Sequence, residues 1–181
     1  MTYYGAKELA DSFRTVRKNT LAIAQDIPAE KYDFRPAPDT RSIGELLTHV
    51  ALAYGFQHQV HAVEKRSNLQ GFDFPSLMGK MAAEEKKPRS KEEIIELLRA
   101  NGETWAGWLQ GLSESFLSEP VQMPQGANPP SKSRFEMLLS VKEHEMHHRG
   151  QLMLLERMLG IVPHLTLEMQ ARFAAASAAR S

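Results

Sequence analysis

Three segments of the chain open with a serine followed three residues later by a glutamate, at Ser42/Glu45, Ser90/Glu93 and Ser133/Glu136, and each time apolar residues at helical spacing come next. In such a pair each side chain satisfies a backbone N–H that the first helical turn leaves without a partner, so the pair marks a helix start. After Ser42 the apolar positions Ile43, Leu46, Leu47, Val50, Ala53 and Tyr54 recur at steps of three and four and predict a helix to about Glu64. After Ser90 the series is Ile94, Leu97, Leu98, Trp105 and Trp108. After Ser133 it is Met137, Val141, His144, His148, Leu152, Leu155 and Leu159, closed by Gly160 and Pro163. A further helix is expected from about Tyr3 to Asp26, with Leu9, Phe13, Val16, Thr20 and Ile23 or Ala24 inward and Pro28 beyond its end.

No run alternates with period two, so the fold class is all-α, and four long amphipathic helices close most simply as a four-helix bundle. Residues 28–41 carry three prolines and read as an extended loop, while 67–89 are long enough to cross the bundle or to hold a short extra helix. Four prolines keep 119–130 from being helical throughout, which makes it a loop that can lie over one end of a site. From His164 onward, Leu165, Leu167, Met169 and Phe173 predict a short C-terminal helix docked on the bundle, fraying from about residue 174 to 181. With no internal repeat and no low-complexity linker, residues 1–181 read as one domain.

Composition removes several function classes. Lysine plus arginine equals aspartate plus glutamate at 22 each, so no positive excess drives phosphate binding, and nucleic acid is not an expected partner. Cysteine is absent, which removes disulfides, thiolate ligands and a cysteine nucleophile; thiol chemistry would need an outside thiol. Charges are mixed from Lys7 onward and no apolar run approaches the ~20 residues of a membrane span, so the expectation is no membrane and a cytoplasmic home.

The chemistry-bearing residues are histidines. His144 and His148 are four apart on one helical face, a spacing that suits a borderline divalent ion. His49, between Leu46 and Ala53 beside another apolar stripe, is the natural third ligand. A lone histidine on such a stripe is commonly a hydrogen-bonded core residue. Three imidazoles in one small core, however, leave several ring nitrogens without partners at ~1–3 kcal/mol each, and one ion satisfies a nitrogen from every ring. Spacing alone leaves His144/His147 open as the pair; the stripe favours His148 and puts His147 on the flank, in a supporting or interface role. His58 and His61 fall near Gln57 and Lys65 and read as solvated surface, and His164 reads as a terminal-loop residue. Gly150, inside a helix, predicts close approach of a neighbouring helix. Gln151 reads equally as a hydrogen-bond partner of a ligand histidine or as an exposed polar residue. Glu143 and Glu145 flank His144, but their helical angles direct both to solvent, and no catalytic residue is assigned. Trp105, Trp108 and Tyr54 read as core.

The run PheArgProAlaProAspThrArgSerIleGlyGluLeuLeuThrHisValAla, residues 34–51, together with HisGluMetHisHisArgGlyGlnLeu, residues 144–152, resembles the DinB/YfiT-like family. The resemblance implies an up-down-down-up four-helix bundle, often a homodimer, whose divalent metal is held by one histidine of the second helix and two of the fourth. Those positions are His49, His144 and His148 here. It further implies either a thiol S-transferase or isomerase using a low-molecular-weight thiol, or a hydrolase, acting on a small-molecule substrate. The ion, which is zinc, nickel, iron, cobalt or manganese, would lower the pKa of a thiol or water. The competing expectation is a noncatalytic, metal-stabilised bundle acting as a dimeric structural or binding module. Structural zinc usually has four closed protein ligands, so a set of three favours the first.

Overall fold

The computed structural model describes residues 4–179. In chain order the elements are α1 (Ala6–Asp26), a 3-10 turn (Ala29–Lys31), α2 (Ile43–Leu52), α3 (Gly55–His58) leading into a π-helical turn (Gln59–Val63), and α4 (Phe74–Glu85). They continue with α5 (Lys91–Gln110), α6 (Glu114–Ser118), β1 (Pro120–Gln122), β2 (Ser131–Ser133), α7 (Arg134–Met158) and α8 (His164–Ala178). All three serine–glutamate pairs form reciprocal capping boxes at the starts of α2, α5 and α7. The expected start of the first helix at Tyr3 lies outside the described residues, as do Arg180 and Ser181 of the tail.

Helices α1, α2, α5 and α7 make the bundle, α1 and α2 each packing against both α5 and α7. Cross-helix contacts fix the directions. Gly44 faces Ile94 and Asn101 donates to the Ala51 carbonyl, so α2 and α5 run parallel. Lys91 donates to the Gln25 carbonyl and Arg14 to Glu103, so α1 and α5 are antiparallel. Tyr4 stacks edge-on against Phe135 and Arg17 reaches Glu145, so α1 and α7 are parallel. The bundle is therefore all-α and up-down-down-up. Its parallel second and third helices require a long crossover, and that crossover carries α4, which lies against α2.

The predicted stripes form the core. Ile23, Leu47, Leu98 and Leu152 are fully buried in one cluster and Phe13, Trp105 and Leu138 in a second. Arg17 lies between them, its guanidinium 5.2 Å from the Phe13 ring centroid and bonded to the Leu98 carbonyl.

Several expectations are corrected. The helix after Ser42 does not run unbroken to Glu64: α2 ends at Leu52, and the π-helical turn Gln59–Val63 shifts the helical phase. Val60 and His61 consequently both face inward, and His61 is 1% exposed where solvated surface was expected. Residues 119–130 contain β1, which pairs antiparallel with β2 and buries Val121 against Val60, Leu69 and Met137. Helix α8 is fifteen residues long and continues through the alanines, good helix formers, to Ala178, yet none of its residues is fully buried. His164 belongs to its first turn, with both ring nitrogens buried and unbonded. Gly150 has open space where a neighbouring helix was expected. No helix among the described residues is long and apolar enough to cross a membrane.

Candidate metal centre

His49 sits in the second turn of α2, between the core residues Leu47 and Val50, and faces α7. There the four-residue step puts His144 and His148 on one side of the helix. Antiparallel packing of α2 on α7 brings the three rings together, with centroids 4.9, 4.9 and 4.4 Å apart. Their Nε2 atoms converge: His49 to His144 is 3.2 Å and His148 to His144 is 3.1 Å. Ligands of a tetrahedral zinc are about 3.3 Å from one another, close to these two separations, and all three ligand atoms lie within 4.8 Å of one another.

The opposite ring nitrogens differ. Glu85 of α4 accepts from His49 Nδ1–H at 2.7 Å, and the Gln151 carbonyl oxygen accepts from His148 Nδ1–H at 2.8 Å. Nδ1 of His144 is buried with no partner. With Nδ1 protonated in His49 and His148, both present an Nε2 lone pair to His144, whose single ring proton can serve only one of them. At least one pair of lone pairs is therefore opposed, a contact that a cation relieves. Protonation of His144 does not relieve it at neutral pH. Burial, reinforced by the charges of the neighbouring histidines and Arg41, lowers the His144 pKa to about 4. Burial also lowers His148, against a raising hydrogen bond from Gln151. Three histidines this close can hold a metal ion.

A cleft of about 730 Å³ opens beside the cluster, with His148 and Gln151 in its wall. It is bordered by the 35–41 loop and by Ala82, Glu85 and Lys86, so this loop and α4 flank the site, not residues 119–130. Leu46, Leu154, Leu155 and Met158 supply its apolar side.

Other sequence readings divide. Gln151 takes the partner role, and its amide nitrogen also donates to exposed His147, which therefore supports the pair from the flank. Glu143 is exposed as expected, but Glu145 is 2% exposed and grips Arg17, so it is neither solvated nor a spare base. The i+4 step from Val141 to Glu145 carried that signal. Buried His61 donates to Gln57 and accepts from Arg134. His58 is half-buried against the Tyr54 and Trp108 rings. Glu85 was missed altogether.

The fold and site thus define a class: an up-down-down-up helical bundle with a histidine cluster between its second and fourth long helices. The model of the DinB superfamily matches residues 12–152, and the chain belongs to that superfamily. The chain is 23% identical over 155 residues to the uncharacterized protein YjoA of Bacillus subtilis (strain 168), covering 86% of this chain and 91% of YjoA. The crystal structure of that DinB-like protein superposes with a TM-score of 0.62 at 21% identity over 84% of this chain and 92% of the other. This likeness speaks to the fold.

Proposed function

We propose that His49, His144 and His148 hold one divalent ion and that the protein is a metal-dependent enzyme of the thiol S-transferase or hydrolase type. The observation that carries this reading is the convergence of three Nε2 atoms beside an open cleft. Zinc, nickel, iron, cobalt and manganese all accept imidazole, and three protein ligands in place of four favour an open site. An ion bound there supplies Lewis acidity, which lowers the pKa of a small thiol or water. The chain's own residues do the rest. Gln151 orients His148, and Leu46, Leu155 and Met158 offer an apolar wall to a small organic substrate. The chain has no cysteine, so any thiol comes from outside.

The competing reading is a noncatalytic, metal-stabilised dimer, and the exposed Leu167, Met169 and Phe173 of α8 offer a face for dimerisation. Dimerisation is compatible with either reading.

Elemental mass spectrometry on the untagged protein tests the centre. About one equivalent per chain, lost in His49→Ala and His148→Ala and kept in His58→Ala, is the expected result. A wild type that binds neither zinc, nickel nor manganese sinks it. Turnover of an electrophile only with added thiol identifies the transferase, and turnover without thiol the hydrolase.

A further inference from the structure

We infer that Glu85 is the positioning residue of His49, holding its ring in the Nδ1–H tautomer and so aiming the Nε2 lone pair at the other two histidines. This rests on the metal reading proposed above. Helix α4 buries none of its residues, yet its last one reaches a half-buried ring on another helix. The carboxylate is itself held from two sides. Oε1 accepts a hydrogen bond from His49 Nδ1–H at 2.7 Å, and Oε2 lies 3.4 Å from Arg41 Nη2, in the loop that borders the cleft.

The three rings have three different supports: a carboxylate at His49, a carboxamide at His148 and nothing at His144. A carboxylate on Nδ1–H does two things that a carboxamide does less well. It excludes the tautomer in which Nε2 carries the proton and has no lone pair to give. Its negative charge also polarises the imidazole and makes Nε2 a better donor, while partly balancing a cation that three neutral ligands leave uncompensated. His49 comes from a different helix than the other two, and its ring bonds only to residues of other helices, Glu85 and His144.

The test uses full-length, metal-free protein and zinc as the probe, with affinity read by competition against a chromophoric chelator. Glu85→Ala is expected to weaken zinc binding by about 10–100-fold, the usual effect of removing such a support, and Glu85→Gln by less, because its carbonyl still accepts the proton. In a His49→Ala background Glu85→Ala should cost far less, since the support of that ring is already gone and only the charge balance is left to lose. Nitrogen-15 NMR of the metal-free chain should find His49 as Nδ1–H in the wild type and Glu85→Gln, with the Nε2–H form appearing in Glu85→Ala. Unchanged zinc affinity in Glu85→Ala overturns the inference, as does an equal loss in the His49→Ala background. If the wild type binds no zinc, the metal reading is the part that fails. The tautomer of His49 then decides alone: a shift in Glu85→Ala supports the positioning role, and no shift overturns it.

Discussion

Arg17 and Glu145, 128 residues apart in sequence, form a two-pronged ion pair in the middle of the bundle: Nε to Oε1 and Nη2 to Oε2, both 2.9 Å. The side chains are 5% and 2% exposed, and Nη1 is used on the Leu98 carbonyl. A buried pair so fully bonded gains little over apolar packing, but loss of one partner strands a charge. Arg17→Met and Glu145→Leu should each destabilise by about 3–5 kcal/mol, and the double variant should recover much of that loss. Urea denaturation of the three proteins is the check; additive losses would mean that the two charges are not coupled.

Two glycines on helices should respond oppositely to the same change. A Cβ on Gly102 would come within 2.9 Å of Arg17 Cγ, an atom held in place by the ion pair, whereas a Cβ on Gly150 would meet nothing. Gly150→Ala should therefore gain up to about 1 kcal/mol from helix propensity, while Gly102→Ala should lose stability despite the same propensity gain. Thermal midpoints of both variants, measured side by side, give the signs.

His61 makes stability fall in acid. Burial, helped by the positive charge of Arg134, lowers its pKa from the ordinary 6.5 to about 4. Between those two values the unfolded chain binds a proton that the folded chain refuses. Stability is then lost as the pH drops through that window, at no more than about 1.4 kcal/mol per pH unit from this group. His61→Gln keeps a carboxamide able to meet Arg134 and Gln57 but cannot titrate. Its stability relative to wild type should rise from pH 7 to pH 4.5, and a constant difference would show that His61 does not titrate there.

How far the sequence could be read followed how local the determining interaction is. Ser42, Ser90 and Ser133 mark helix starts correctly because the whole capping box spans four residues. His144 and His148 were legible as a pair because one turn of helix sets their geometry. His49 was singled out by its place beside a stripe and by the family resemblance. Glu85 was not legible: it stands 36 residues from His49, in a stretch that the sequence marks only as a crossover or a short extra helix, with nothing to say which helix it packs on. His61 was misplaced because the π-helical turn breaks the periodicity on which its surface assignment depended. Glu145 was sent to solvent because its partner Arg17 lies on another helix, and only the pairing makes burial of either tolerable.

The exposed residues of α8 give a prediction about assembly. Met169 and Phe173 are four apart on one helical face, 51% and 67% exposed, while Leu154 and Met158 at the end of α7 are 60% and 52% exposed. Apolar side chains left this open on two consecutive helices favour self-association. The wild type is expected to sediment as a dimer and Met169→Glu/Phe173→Glu as a monomer of unchanged helical content. A monomeric wild type at tens of micromolar would leave this face without a role in assembly.

Glu156 should make the protein less stable as the solution becomes more basic. It is 0% exposed on α7 and both of its carboxyl oxygens lack a hydrogen-bond partner. Burial, with the nearby charge of Asp26 adding to it and Arg157 opposing, raises its pKa from the ordinary 4.5 to about 7. Between these values the unfolded chain has released the proton that the folded chain still holds. Stability therefore falls as pH rises from about 4.5 to about 7, by at most about 1.4 kcal/mol per pH unit, and above that window the fold carries a buried charge. Glu156→Gln removes the charge and keeps the shape. It should match the wild type near pH 4.5 and exceed it in urea midpoint by pH 8; equal midpoints at both pH values would place the folded-state pKa of Glu156 at its ordinary value.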